Sequence, residues 1–476
     1  MVAQAVQRVY FRAAARMAWR SLRRLSGPAL LDEADRAAVR AFRRAARRVP
    51  AYRRLLADRG IDAGAVTDAE SFRRLVPLTD KQSVFADNDL PSLCLDGSLR
   101  DLASVYTSSG HSGVFSFGLE THKDGRRGRA SLDLLLEMYL ATSSRRTLLV
   151  NALPMGVRVP VGLPIVLDTG TRADAVLAVI HKLGGFCEQV LIVGEPAFLK
   201  KVVEDGLEAG LDWPRYRVSM LTGAEVVSEN FRSYLGPILG NHPTDRQRGR
   251  IVLNAGISEI GLSVGHETDA CWRIRREALS DAALRTALFG QAPFLPTFLQ
   301  YFPQAFYMET PESQDGTRRL VVTTCNPGRR VPLIRYATGD WAQAFTHEEV
   351  CRALEACGRE DLRPEFELPF LAIWGRGGCL DLGGRKVFPE QIKEALYSNP
   401  SVASVLTAAF HMTDRDGRLH VDCQLKPNAV ATEAARSDLG QAINEWTGLP
   451  AEVNLVPYRQ FPDTLEMCYQ RKFKYL

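Results

Sequence analysis

Six short segments of this sequence carry residue types suited to holding a nucleotide and its phosphates. The first, Tyr106-Thr-Ser-Ser-Gly-His-Ser-Gly113, joins glycines, whose bare backbone can approach an anion and aim N–H groups at it, to the hydroxyls of Thr107, Ser108, Ser109 and Ser112. Gly110 and Gly113 are the glycines of that loop. Standing alone, such a loop also describes an ordinary solvated turn. Leu221-Thr-Gly-Ala-Glu225 and Asn254-Ala-Gly-Ile-Ser-Glu-Ile-Gly261 each follow a strand-like run. Glu259 in the second of these can share Mg²⁺ with substrate phosphates, or can merely cap a turn. In Pro332-Leu-Ile-Arg-Tyr-Ala-Thr-Gly-Asp340, an aspartate after a tight Thr-Gly turn can accept hydrogen bonds from the vicinal hydroxyls of a ribose. Trp374-Gly-Arg376 adds a cationic fork, and RKFKYL brings Lys472 and Lys474.

Residues of this kind are useful only if rigid elements bring them together. From about Ser104, apolar runs alternate with helical stretches: TLLVNAL, RADAVLAVIHKLG, VLIVG, PAFLKKVVEDGLEAG, RVSMLTG, SENFRSYLGPILG and RIVLNAG. That alternation predicts layered α/β structure with parallel strands. The strands end in Gly, Asn or Ser/Thr, as expected where strand C-termini face a ligand crevice. After Gly375 the glycine-rich GRGGCLDLGGR reads as a hinge into a small α+β domain. The expected division is 1–376 and 377–476, with 1–54 forming a basic helical arm on the large α/β domain.

In this order, the segments resemble the adenylate-forming superfamily of acyl-CoA synthetases, adenylation domains and luciferases, and within it the phenylacetate-CoA ligase-like branch. The resemblance runs from about Val49 to Leu476. VPAYRRLL and LVPLTDK are similar to the branch's entry segment, TSSGHSG to its phosphate loop, LTGAE and NAGISEIG to its central motifs, and LIRYATGD with GRKVFPEQI to its late ones. The resemblance implies an ATP-dependent ligase that converts a carboxylic acid to an acyl-adenylate and passes the acyl group to coenzyme A or to the phosphopantetheine of a carrier protein. Thr107 to Gly113 would then hold the β- and γ-phosphates, Glu259 would help to bind Mg²⁺, and Gly223, Ala224 and Glu225 would line the adenine end. Asn254, Ala255, Gly256 and Ser258 would complete the nucleotide site, Asp340 would bind the ribose and Arg376 would sit near ribose and phosphate. Lys472 would be the adenylation lysine, with Lys474 second. The acid pocket would come from Asn151–Pro154, Thr222–Ala224 and Asn254–Ile257, which are small or apolar and suit an aromatic or aliphatic acid.

The chain departs from the pattern at several places. Ala255 stands where an aromatic usually stacks on adenine, His111 replaces a small hydroxyl residue, and Gly378 and Cys379 replace acids, with Asp381 the nearest carboxylate. Arg471 replaces the glycine before the last lysine motif. These leave open a degenerate nucleotide-binding relative, or an acyl-protein synthetase that holds the acyl group on a cysteine.

Composition sets the outer bounds. The net charge of +5 over 476 residues favours neither a nucleic-acid binder nor a membrane protein. The bias is local: fourteen arginines face only Asp32, Glu33 and Asp35 in residues 1–54, a net of +11. Val2, Val6, Val9, Ala13 and Met17 predict an amphipathic helix ended by Gly27 and Pro28, and a second runs from about Leu30 to Arg48. The arm is expected to pack on the body with its arginines in water, or else to meet an acidic carrier domain or an anionic membrane surface. Nine cysteines without paired spacing suggest a reducing cytoplasm. His266, Cys271 and Cys325 form a weak zinc candidate.

Overall fold

The computed structural model describes every residue except 1, 109–112, 224, 243–244, 246–247, 314–315, 463–467 and 471–472, and within 2–10 only the side chain of Val9. The basic start folds as helices Val2–Leu22, Gly27–Arg48 and Pro50–Asp58. The first stops at Leu22, and Gly27-Pro28 opens the second helix instead of closing the first. Proline suits a first turn, where its missing N–H would have no partner anyway and its φ is already helical. Of the apolar stripe expected to bury the first helix, Val9 and Met17 face solvent, 64% and 62% exposed. Trp19 and Leu22 pack instead toward Leu30, Phe366 and Leu368; these larger side chains offer more apolar area, and so they set the docking face. Arg12 donates to the Ser143 carbonyl at 2.6 Å, Arg23 pairs with Glu365 at 2.6 Å, and the Gly27 N–H donates to Glu367 at 2.9 Å. The arm lies on the body with Arg16, Arg20 and Arg24 exposed.

The strands in chain order are β1 (Leu102–Thr107), β2 (Phe117–Thr121), β3 (Thr147–Asn151), β4 (Ile165–Asp168), β5 (Gln189–Gly194) and β6 (Val218–Thr222). Next come β7 (Ile251–Ile257), β8 (Gly261–His266), β9 (Thr297–Gln300), β10 (Phe306–Glu309), β11 (Arg319–Thr324), β12 (Tyr336–Phe345) and β13 (Phe370–Gly375). β3 to β13 form one eleven-stranded sheet in the order β10-β11-β12-β13-β9-β8-β7-β6-β5-β3-β4. β4, β3, β5, β6 and β7 run parallel, and their helical crossovers include Ala173–Leu183, Pro196–Glu208 and Glu229–Ile238. β3, β5 and β6 are buried along their whole length, which explains their unbroken apolar runs.

From β7 to β10 the neighbours are antiparallel, so the sheet is mixed where parallel strands were expected. The change happens within β7. Its first half pairs parallel to β6, and its second half turns straight back into β8 through Ser258-Glu259-Ile260, with no crossover helix. The turn thereby stands at the C-terminal edge of the parallel strands, where α/β sheets bind ligands.

Past β13, glycines at positive φ (Gly375, Gly377, Gly383 and Gly384) lead through the hairpin β14 (Leu380–Leu382) and β15 (Arg385–Val387). Helix Pro389–Ser398, the sheet β16 (Leu406–Arg415), β17 (Arg418–Leu425) and β18 (Ala451–Val456), and helix Glu433–Thr447 follow. This part packs on the rest through Tyr397, whose ring lies 5.4 Å from Phe231, and through Lys200, which donates to the Leu406 carbonyl at 2.6 Å.

Buried Glu394 accepts hydrogen bonds from the Glu229 and Asn230 N–H groups at 2.9 and 3.0 Å, capping helix Glu229–Ile238 across this junction. Burial pushes its pKa up to about 7, opposed by those N–H groups and by Arg275 and reinforced by Glu229. A raised carboxyl pKa stabilises the packed state fully below the unfolded value near 4.5 and loses that contribution as pH rises through about 7. The wild type is expected to lose on the order of 1–3 kcal/mol more than Glu394→Gln between pH 5 and pH 8. Thermal melts of both proteins across that range check this; parallel pH slopes would refute it.

Candidate active site

The phosphate-loop candidate hangs from the antiparallel pair β1–β2. Ser109, Gly110 and Ser112 lie outside the described residues, as does His111; the residues on either side form the neck of the loop. Thr107 ends β1, the Ser108 N–H donates to the Ser116 carbonyl at 3.1 Å, and the Ser116 N–H donates to Ser108 Oγ at 3.0 Å. Lys81 Nζ donates to the same Ser108 Oγ at 3.0 Å. Burial lowers the Lys81 pKa, while nearby Glu259 works against that shift. Gly118, just beyond the neck, allows β2 to pass the β7–β8 turn, since a Cβ there would lie 2.4 Å from the Ser258 carbonyl oxygen.

Glu259 sits in that turn and is only 8% exposed. Ser116 Oγ donates to one of its carboxylate oxygens at 2.9 Å, and the Tyr336 hydroxyl donates to the other at 2.7 Å. Burial and the adjacent carboxylate drive the Tyr336 pKa upward, so the phenol stays a donor. The Glu259 carbonyl accepts from Arg329. One carboxylate thus joins the phosphate loop, the central turn and the segment leading to Asp340.

Asp340 and Arg376 meet because their strands are paired and their neighbours stack. Trp341 on β12 pairs in register with Gly375 on β13, and the Trp341 and Trp374 rings lie stacked 4.9 Å apart. Arg376 Nε then stands 3.9 Å from Asp340 Oδ1, with the arginine 62% exposed. Gly339 holds φ +84°, and the Asp340 N–H donates to Thr338 Oγ1 at 3.2 Å. Arg335 of the same motif serves the fold: it forks onto Glu309 at 2.9 Å and donates to the Arg73 and Val76 carbonyls at 2.6 Å.

Gly223 is required by a close approach, because a Cβ would lie 2.0 Å from the Asn254 carbonyl oxygen. The Asn254 side chain is committed to the β7–β8 hairpin, donating to the Leu262 carbonyl and accepting from Ser263, both at 2.8 Å. Ala255 and Gly256 follow it on β7, and Ala224 lies outside the described residues. Glu225, expected at the adenine end, turns its carboxylate to Lys393 at 2.7 Å and to the Tyr475 hydroxyl at 3.3 Å. It therefore ties the central motif to the C-terminal part.

A cavity of about 210 Å³ opens at the ends of β5, β6 and β7, lined by Leu153 to Met155, Val157, Gly223, Asn254 and Ser258. Gln470 reaches its mouth, accepting from the Met155 N–H at 3.2 Å and donating to Thr171. Lys472 lies outside the described residues, and Lys474 is exposed.

The sequence reading therefore missed Lys81, Ser116, Tyr336 and Gln470. Lys81 and Tyr336 lie within quoted motifs, so their signal was present without a role attached. The zinc candidate does not assemble: among the described residues no group of three metal-ligating side chains is placed to hold an ion. Burial keeps the His266 imidazole neutral, with a pKa lowered to about 4, and raises the thiols of Cys325 and Cys271 to about 11 and 12. Among the described residues no helix is long and apolar enough to cross a membrane.

No family model matches the chain, and no curated protein matches it. Solved structures do. The chain is similar to 2-hydroxyisobutyryl-CoA ligase in the postadenylation state with 2-HIB-AMP, at 14% identity over 91% of this chain and 88% of that one, with a TM-score of 0.65. The same ligase in the thioesterification state with 2-HIB-AMP and CoA matches over the same shares at 0.52, and in an open conformation at 0.53 over 91% and 90%. At this identity the likeness shows a shared fold, and the chain superposes better on the postadenylation arrangement.

Proposed function

We propose that this chain is an acid–thiol ligase that uses ATP to activate an aryl or acyl carboxylic acid, and that it belongs to the adenylate-forming enzymes, in their phenylacetate-CoA ligase-like branch. The observation that carries this reading is the double anchoring of Glu259 by Ser116 and Tyr336, which draws three motifs into one hydrogen-bonded cluster at the strand ends. An acid oxygen attacks the α-phosphorus of ATP and the bond to pyrophosphate breaks. A thiol sulfur then attacks the acyl carbon, and AMP leaves.

Such chemistry needs positioning and charge neutralisation more than proton transfer. Ser108 and Ser116 close the phosphate loop while Lys81 places a positive charge at its neck. Asp340 accepts the ribose hydroxyls beside Arg376. Each Glu259 oxygen accepts one hydrogen bond, which leaves lone pairs for a cation. With a single carboxylate, Mg²⁺ would depend on phosphate oxygens and water as well, and when bound it neutralises phosphate charge. Residues 377–476 act as a small domain that turns about the glycines of 375–384 between the two half-reactions. The acceptor thiol belongs to coenzyme A, as the ligands of the similar structures favour, or to a carrier protein drawn by the exposed arginines of the arm.

Pyrophosphate exchange into ATP across a panel of aryl and alkyl acids tests the proposal. Exchange with one class of acid is expected, and Asp340→Ala is expected to raise the KM for ATP about 10- to 100-fold through loss of charge-assisted hydrogen bonds. Ala255 in place of a stacking aromatic favours the rival reading of a degenerate nucleotide-binding protein. ATP binding without exchange on any acid would establish that rival.

A further inference from the structure

We propose that the acid is a bulky, largely apolar one whose body passes Leu262 into a second chamber walled by the N-terminal arm. This rests on the proposed function above and names its substrate class. The cavity at the strand ends holds about 210 Å³, less than the roughly 300 Å³ at the low end of organic-ligand pockets. At about 30 Å³ per water-sized group it admits only a small acid. Across the β7–β8 hairpin lies a cavity of about 640 Å³, and the two share Leu132, Ser258 and Leu262 as lining. Half-buried Leu262 thus stands between them.

The larger chamber is mainly apolar. Its walls include Leu119, Leu135, Val264, Phe302 and Trp19. Trp19 comes from the first helix, where its ring packs 5.8 Å from Phe366, so the docked arm acquires a role in closing the chamber. The charged groups facing the chamber are already engaged. Glu120 accepts from Ser104 and Tyr106 at 3.0 and 3.1 Å; Asp124 and Arg127 hold Asn326 at 3.0 and 2.6 Å; Arg329 donates to the Glu259 and Val331 carbonyls. His266, 7% exposed with its ring 5.5 Å from Phe302, adds ring surface to the wall.

Pyrophosphate exchange with acetate, hexanoate and dodecanoate, together with tryptophan fluorescence of the wild type and Trp19→Phe on titration with dodecanoate, tests the chamber. From the free energy of burying successive methylenes, kcat/KM for dodecanoate is expected to exceed that for acetate at least ~100-fold. Ser131→Trp, on the wall of the larger chamber alone, should lower the dodecanoate value at least ~30-fold while changing acetate less than ~3-fold, the difference expected from filling an apolar chamber. Ala305→Trp fills the chamber from another wall and should do the same, which covers the case of one variant failing to fold. Exchange confined to short acids without a Trp19-dependent signal overturns the chamber and leaves the ligase reading intact. A Trp19-dependent signal without exchange on any acid overturns the ligase reading and leaves the chamber. Unchanged dodecanoate exchange in Ala305→Trp with a raised KM for coenzyme A would assign the space to the thiol, and the proposal would fall.

Discussion

Glu259→Gln is expected to lower pyrophosphate exchange by about two to three orders of magnitude, the loss that follows removal of one preorganised electrostatic contact at a reacting phosphate. The substitution keeps size and shape and removes one negative charge from the meeting point of the phosphate loop, the β7–β8 turn and β12. Its structural cost is small. A glutamine oxygen still accepts from one hydroxyl, and the other hydroxyl can rotate to accept from the amide, so about 1 kcal/mol of stability is at stake. Tyr336→Phe separates charge from geometry, because it removes one of the two donors to Glu259 and leaves the carboxylate. A loss of about tenfold is expected there. Exchange rates measured beside thermal melts check both variants. Glu259→Gln that folds and retains more than half of the wild-type exchange would remove this carboxylate from the chemistry.

The contrast between Glu259 and its partners shows what one sequence can disclose. A glutamate after a strand-like run, inside a glycine-bounded turn, is visible as a candidate from local pattern alone. Ser116 and Tyr336 are not, because they lie 143 and 77 residues away from it in the chain, and they meet it only where the separate β1–β2 pair passes the β7–β8 turn and where the mixed sheet places β12. Strand identity was legible from apolar runs, whereas strand direction was not. β7 looks like any other buried strand until it is seen to turn back without a crossover. The first helix makes the same point about packing. Periodicity located the helix, but Val9 and Met17 lost its buried face to Trp19 and Leu22, whose partners Phe366 and Leu368 lie more than three hundred residues away. Glu225 was legible as a motif residue, yet its ion pair with Lys393 depends on how the C-terminal part docks.

Lys472→Ala is expected to abolish adenylation almost completely, by about a thousandfold in pyrophosphate exchange, with little change in the KM for the acid. Covalent geometry supplies part of the argument. Gln470 is fixed at the cavity mouth by Met155 and Thr171, and Tyr475 is fixed by Glu225 and by its ring stacked 4.5 Å from Phe410. Two peptide units span at most about 7 Å, a distance comparable with the reach of a lysine side chain. An ammonium there would meet the charge that builds on the α-phosphate during attack and would have no part in the later displacement of AMP by a thiol. Lys472→Ala should therefore still form thioester from a preformed acyl-adenylate at close to the wild-type rate. Exposed Lys474 is the internal control, and Lys474→Ala should change exchange less than about threefold, as expected of a solvated surface charge. A large loss in Lys474→Ala with none in Lys472→Ala would transfer the role to Lys474. Equal loss of both half-reactions in Lys472→Ala would mean that the residue holds the tail in place and does not act on the phosphate.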